Sequence, residues 1–226
     1  MSQGTDTAGG VRTSRASLLV AVAVLGALLI AVALHWRGQP VICPCGFVKL
    51  WEGSIFSRHT SQHIADWYTL SHVVSGMLLV VAGRILPWRF GFTLLFGITI
   101  AIGTAWEILE HTEWVMRSFR ATSLYSDYAG DSILNAVADY VWMLGGFLVA
   151  YRLRTGWIVA LVLGMEIVSA LAARDSLILS TLMVVSPVDA IEDWQQEANP
   201  HGSDRPGGEV ARPNRGAGSG PSAPGR

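Results

Sequence analysis

The sequence predicts an all-α fold, a polytopic transmembrane helix bundle of about five spans with a short C-terminal amphipathic or re-entrant segment. Three observations carry that prediction. Of the 226 residues, 51% are hydrophobic and only 15% are charged, whereas an ordinary soluble domain carries about 25% charged residues. Mean hydropathy is +0.40, as in chains that cross a bilayer several times. Nine Trp are present, and Trp collects at membrane–water interfaces. The same composition excludes other classes. A net charge of -1 gives no basic field to hold nucleic acid, so no nucleic-acid partner is expected. The apolar content excludes wholesale disorder. Two Cys with one residue between them cannot staple distant parts of a fold. The expected partner is the lipid bilayer.

The elements follow in chain order. Residues 1–16 form a polar segment with Arg12 and Arg15, and 17–36 are free of charge. About 20 apolar residues in a helix cross the hydrocarbon layer, so 17–36 is the first span. Ala31-Val32-Ala33 resembles a signal cleavage site, but the apolar run is longer than a signal core and favours a retained anchor. A polar connector, 37–65, holds Cys43-Pro44-Cys45-Gly46, His59 and His63. Span two covers 66–86, an Arg84…Pro87-Trp88-Arg89 turn follows, and span three covers 91–110. The polar connector 111–130 carries Arg117, Arg120 and Asp127. Span four covers 132–151, Arg152 and Arg154 follow, and span five covers 157–174. Residues 176–187 are apolar but too short to cross alone, which suits an interfacial or re-entrant piece. Residues 189–197 read as an acidic helix end, and Gly, Pro, Ser and Arg dominate from Asn199. The expected organisation is one bundle domain, 17–195, between the polar segment 1–16 and a disordered Gly/Pro-rich tail, 196–226.

Basic residues in short connectors favour the cytoplasm. Arg12 and Arg15, Arg84 and Arg89, and Arg152 and Arg154 fall on one side of a five-span bundle, although Arg37, Lys49, Arg58, Arg117 and Arg120 fall on the other. The short turns weigh more, so the N-terminus is placed in the cytoplasm and the 37–65 and 111–130 connectors outside, in the periplasm of an inner-membrane protein. The ionisable residues of the spans then crowd into the outer half: His72, Glu107, Glu110, Asp131, Asp139 and Glu166, with Arg174 and Asp175 closing the fifth span.

Helical spacing sharpens this pattern. At about 100° per residue, Asp131, Asn135 and Asp139 form one polar stripe, and Glu107, Glu110 and His111 share a face. Asp66, Thr69 and His72 share a broader face of span two. A carboxylate facing lipid costs several kcal/mol, so these stripes should face the bundle interior and converge. Trp36, Trp51, Trp67, Trp88, Trp114 and Trp157 lie near span ends, as an aromatic belt requires. Gly76, Gly103, Gly145 and Gly146 are expected to let helices approach closely.

The segments CPCGFVKLW, SQHIADWYTLSH, WEILEHTEW, DYAGDSILNAVADYVWMLGGF and ARDSLILSTLMVVSPVDAIEDWQ together resemble a bacterial multi-pass membrane family of uncharacterised activity, domain of unknown function 2585. The resemblance covers about 43–195 and implies a membrane protein but no reaction. More distantly, His72…Glu107-x-x-Glu110…Asp131…Asp139 is similar to small VanZ-type membrane proteins.

The residues support several chemistries. Carboxylate oxygen and imidazole nitrogen from His72, Glu107, Glu110, Asp131 and Asp139 suit a divalent metal ion such as Zn²⁺, Mn²⁺ or Mg²⁺. The four acids Glu107, Glu110, Asp131 and Asp139 are then the candidate catalytic residues of a metal-dependent membrane hydrolase acting on a lipid-linked substrate. His63, Asp66, His72, Asn135, Glu166, Arg174 and Asp175 are candidate contacts for a lipid-derived ligand. The alternatives are proton or ion translocation through Glu107, Asp139, Glu166 and Arg174, and a hydrogen-bond network that glues helices in a structural or assembly factor for a membrane-protein complex. Cys43 and Cys45 read as a local disulfide or two free thiols; a structural zinc there would need two further ligands, for which His59 or His63 is a candidate.

Overall fold

The computed structural model describes residues 6–86, 90–122 and 128–197. Within them the order is α1 (Asp6–Trp36), α2 (Trp67–Ile85), α3 (Phe92–Glu110), α4 (Glu113–Thr122), α5 (Ile133–Arg152), α6 (Thr155–Ala173), α7 (Leu177–Val185) and α8 (Asp189–Gln196), with no strand. Five stretches are long and apolar enough to cross a membrane: Arg15–Trp36, Trp67–Ile85, Phe92–Glu110, Ile133–Arg152 and Thr155–Ala173. The chain is an all-helical, polytopic membrane bundle. Each expected span lies within a few residues of an observed one, and α1 already begins at Asp6, inside the polar N-terminal segment. The Pro87-Trp88-Arg89 turn, Asp127 and the tail from 198 onward lie outside the described residues.

Local chemistry sets the helix ends. Asp66 caps α2: its Oδ1 accepts the Tyr68 N–H at 2.8 Å while Thr69 Oγ1 accepts the Asp66 N–H at 3.0 Å, a reciprocal box that pairs two otherwise orphaned donors. Ser132 caps α5 through the Asn135 N–H at 3.1 Å, and Ser176 caps α7 through the Leu179 N–H at 3.3 Å. Leu86, which ends α2, is extended, as the residue before a proline prefers.

Packing follows from side-chain size. The core gathers Ile30 and Leu34 of α1, Met77 and Val80 of α2, Phe96 and Ile100 of α3, and Tyr140 and Phe147 of α5. The most extensive helix pair is α2 with α5. A Cβ on Gly76 would run into the Met143 carbonyl, and one on Gly146 into the Val73 carbonyl. The two glycines thus let the backbones approach within a distance that no other residue allows, as small residues do at membrane helix crossings. Gly103 likewise meets Tyr140 and Met143. Gly145 departs from the expectation: open space surrounds it, because it points away from the crossing that its neighbour makes.

Leu163, Ile167 and Leu171 of α6 and Leu18, Leu25 and Leu29 of α1 stay exposed, which suits faces turned to acyl chains. Trp36, Trp114 and Trp157 are also exposed, with Trp36 and Trp157 within a turn of a span end. One feature departs from the sequence reading: the 111–130 connector holds a helix, α4. The apolar run after Asp175 becomes the 9-residue α7, a short piece as its length predicts. At about 1.5 Å per residue, α7 cannot cross. It packs against α4, α2 and α6.

Candidate functional site

The glycine crossing also builds the site. His72 stands one turn before Gly76 on α2, and Asp139 two turns before Gly146 on α5, each on the face that meets the other helix. Glu107 and Glu110 come from the last turn of α3. His72 Nδ1 lies 3.4 Å from Glu107 Oε1, and its Nε2 lies 3.9 Å from Asp139 Oδ2. Single donor atoms of His72, Glu107 and Glu110 all lie within 4.8 Å of one another. Three helices thus deliver one imidazole and three carboxylates to one place.

A polar shell holds these groups. Thr69 Oγ1 donates to Asp139 Oδ1 at 2.8 Å while accepting the Asp66 N–H. Asp66 Oδ2 accepts the Ser61 N–H at 2.7 Å. Burial pushes the Asp66 carboxyl up to about 6, against the pull of the Ser61 and Tyr68 amides. Asp131 sits beside the cluster rather than in its centre. Its Oδ1 accepts the Tyr128 hydroxyl at 2.7 Å, and its Oδ2 lies 3.6 Å from His111 Nε2. Burial and the Asp131 charge hold the Tyr128 phenol well above its usual range, so it stays a proton donor. His111 is committed to structure: Nδ1 pairs with the Glu107 carbonyl at 2.7 Å and Nε2 accepts the Asp131 N–H at 3.0 Å. Gly130, at φ +93°, makes the turn that aims that amide. Arg37 donates to the His111 carbonyl at 2.9 Å, tying the end of α1 to the end of α3.

The other sequence candidates fall elsewhere. His63 and Asn135 meet through the Asn135 Nδ2 donation to the His63 carbonyl at 2.7 Å. Glu166, Arg174 and Asp175 form a separate joint at the end of α6. Glu166 accepts the Ile178 N–H at 3.0 Å. Arg174 donates to the Trp194 carbonyl at 3.0 Å and stacks 4.6 Å from its ring. Asp175 accepts from the Ser176 N–H and the Ser180 hydroxyl. The sequence reading gave no role to Tyr128, Gln62 or Ser132, which tie the connectors to α5. An aromatic three residues before an acid, or a serine opening a helix, is too common a pattern to signal them. Cys43 and Cys45 are joined as a disulfide.

What sets the cluster apart is its pairing. Both oxygens of Glu107 and Oε2 of Glu110 are buried without a hydrogen-bond partner among the described residues. Within those residues no lysine or arginine lies within ion-pair distance of Glu107, Asp131 or Asp139, whose only such neighbours are His72 and His111. A buried carboxylate that lacks donors is costly unless a proton or a cation neutralises it. One imidazole and several carboxylate oxygens form a donor set for a divalent ion of intermediate hardness.

Comparison with known proteins places the chain. The family profile described as "Protein of unknown function (DUF2585)" matches residues 34–197. A UPF0314 protein of Sphingopyxis alaskensis is 43% identical over 190 residues, 83% of this chain and 97% of that protein. One of Rhizobium meliloti is 42% identical over 186 residues (80% and 92%), and one of Paracoccus denitrificans is 41% identical over 168 residues (74% and 87%). No solved structure matches. The match from the end of the first span to the end of α8 takes in every cluster described above, and the chain belongs to the DUF2585 family of bacterial membrane proteins.

Proposed function

We propose that the protein binds a divalent metal ion inside the bundle, held by His72, Glu107 and Glu110 with Asp139 beside them. The supporting observation is the set of buried, unpartnered oxygens on Glu107 and Glu110 within reach of His72. A cation there removes the cost of uncompensated acids and uses donors that no group among the described residues uses. The mixed nitrogen and oxygen set favours Mn²⁺ or Zn²⁺ over Ca²⁺. Asp131, Tyr128 and Thr69 act as positioning groups around it.

A second reading builds on the depth of the site. Glu110 is the last residue of α3, and His72 lies five residues into α2, about 8 Å from its start. A helix of this length about spans the hydrocarbon layer, so the site lies within reach of the interfacial layer that holds lipid ester and phosphate groups. Three protein donors leave a metal with places for water and substrate, so the reading is metal-assisted hydrolysis of a lipid-linked substrate. The orientation that goes with it puts this end in the periplasm, because Arg84, Arg152 and Arg154 gather at the opposite end, where Arg84 donates to the Leu153 carbonyl at 2.8 Å.

The test is metal analysis of the full chain purified in detergent, with the Glu107→Gln/Glu110→Gln variant alongside. About one equivalent of Mn²⁺ or Zn²⁺ in the parent and none in the variant is expected. Equal loading of both removes the proposal. Changes in membrane lipid composition on deletion of the gene, reproduced by the double variant, separate hydrolysis from binding alone.

A further inference from the structure

A second donor cluster lies in the connector between α1 and α2, outside the spans. Single donor atoms of Cys43, Cys45, His59 and His63 all lie within 4.8 Å of one another. We infer that these four residues form a thiol-gated Zn²⁺ site, closed while Cys43 and Cys45 are joined and opened when they are reduced. The inference is independent of the carboxylate site.

The disulfide alone does not account for the histidines. His59 Nδ1 lies 3.4 Å from Cys43 Sγ. His63 is 1% exposed, and its Nε2 is buried without a hydrogen-bond partner among the described residues. The Phe47 ring packs against both imidazoles at 5.9 and 5.5 Å and keeps them beside the sulfurs. His63 Nδ1 accepts the Lys49 amide at 3.3 Å, and that hydrogen bond leaves Nε2 idle beside the sulfurs. The sequence spacing agrees: 13 residues separate Cys45 from His59, and three separate His59 from His63. Zinc sites of the two-Cys, two-His kind use about 12–15 and 3–5. Only the Cys pair is one residue tighter.

The geometry and charge also agree. Zn–S and Zn–N bonds of about 2.3 and 2.0–2.1 Å place tetrahedral neighbours roughly 3.3–3.8 Å apart, so His59 Nδ1, 3.4 Å from Cys43 Sγ, is near its place, while the sulfurs must separate and His63, within 4.8 Å of the others, must draw in. Coordination through Nε2 puts the ring proton on Nδ1 and gives up the 3.3 Å contact with the Lys49 amide. Opening the gate takes two electrons and two protons. A dithiol reductant attacks the disulfide, leaves as its own disulfide, and yields two thiols here. Zn²⁺ then displaces the two thiol protons, and two thiolates cancel its charge. Two thiolates with two imidazoles in a tetrahedron select Zn²⁺ among common divalent ions.

The experiment uses the full chain in detergent, carrying Glu107→Gln/Glu110→Gln so that the carboxylate site cannot contribute. One half is reduced with a phosphine, which takes up the disulfide's oxidising equivalents as phosphine oxide, and is then desalted without air. Both halves are titrated with Zn²⁺, and with Co²⁺ as a spectroscopic stand-in. The expected result is one more Zn²⁺ per chain in the reduced half, with a thiolate-to-cobalt charge-transfer band there alone. His59 is only half-buried, so His59→Gln should keep its circular dichroism while weakening Zn²⁺ binding about tenfold or more. Equal zinc in the two halves overturns the inference. So does a folded His59→Gln variant with unchanged affinity, which would reduce the site to two adventitious thiols.

Discussion

Two clusters of buried acids sit at the same end of the bundle, and they differ in how their charges are met. Glu166 and Asp175 are 7% and 5% exposed, and Glu107 and Asp139 are 1% and 3% exposed, so burial does not separate the clusters. Pairing does. At the α6–α7 joint, Asp175 takes the Ser176 amide at 2.8 Å, the Ser180 hydroxyl at 2.9 Å and the Tyr68 hydroxyl at 3.3 Å, and Glu166 takes the Ile178 amide at 3.0 Å. At the α2–α3–α5 cluster, three oxygens of Glu107 and Glu110 take no hydrogen bond from the described residues. The first arrangement spends its acids on shape. The second leaves donor atoms free, which structure alone does not explain. Buried acids mark helix joints as often as sites, and the accounting of donors distinguishes the two.

The sharpest way to break this contrast is to delete one acid from each cluster with a metal chelator present. Asp175→Ala strands the Ser176 amide, the Ser180 hydroxyl and the Tyr68 hydroxyl, at about 1 kcal/mol or more for each stranded donor, so a loss of about 3 kcal/mol is expected. Glu107→Gln replaces a carboxyl that takes no hydrogen bond from the described residues, so stability should change by less than about 1 kcal/mol or rise. Thermal unfolding in detergent reads both. If the two variants lose equally, Glu107 is as structural as Asp175 and the contrast fails.

The pH dependence of the joint is next in size. Burial pushes the Asp175 carboxyl from 3.8 up to about 6, against its hydrogen bonds to Ser180, Ser176 and Tyr68. Between those values the folded chain keeps a proton that the unfolded chain has released. The stabilisation is therefore complete below about pH 4 and is lost as pH rises through 6. The difference is about 3 kcal/mol at most, at about 1.4 kcal/mol per pH unit. Asp175→Asn should remove its share of the slope between pH 4 and 7 and leave that of Asp66, whose carboxyl burial pushes up to the same value of about 6. A profile that keeps its slope in the variant assigns the dependence to another group.

How far the sequence alone reaches also differs between the two clusters. Span positions were legible because about 20 uncharged residues in a row have one stable solution in lipid. The meeting of His72, Glu107, Glu110 and Asp139 was legible because helical spacing and the cost of facing lipid both push polar stripes inward. Glu166, Arg174 and Asp175 fit that same rule, yet they close on α7 and α8. The fold of 176–196 back onto α6 depends on Ser176, Ser180, Gln195 and Trp194, whose pairings come from tertiary contacts with no periodic signature. The helix in 113–122 is strongly amphipathic, so its period is in the sequence, but 10 residues make a marginal helix without tertiary support, which packing on α7 supplies.

Metal addition sharpens the contrast from the other side. A ligand that binds only the folded state at about a hundredfold above its dissociation constant adds about 2.7 kcal/mol. Mn²⁺ or Zn²⁺ at that level should raise the unfolding midpoint of the parent and of Asp175→Asn alike, and leave Glu107→Gln/Glu110→Gln unmoved. An increase that survives in the double variant but vanishes in Asp175→Asn would move the site to the α6 joint.

The smallest expected difference lies in the helix caps beside the two clusters. Ser176 caps α7 through one contact, the 3.3 Å Leu179 amide, so Ser176→Ala should cost about 1 kcal/mol. Ser132 accepts the Asn135 amide at 3.1 Å and also donates to the Gln62 carbonyl at 3.1 Å, with 0% exposure. Ser132→Ala strands two buried partners and should cost about 2 kcal/mol. It should also weaken metal binding, because Ser132 ties the 59–66 connector to the start of α5 and Asp66 passes that tie through Thr69 to Asp139. Ser176→Ala should leave metal binding unchanged. Chemical denaturation and metal titration on the same two variants read the stability gap and the affinity gap independently. Equal losses in both would mean that the connector does not position the carboxylates at all.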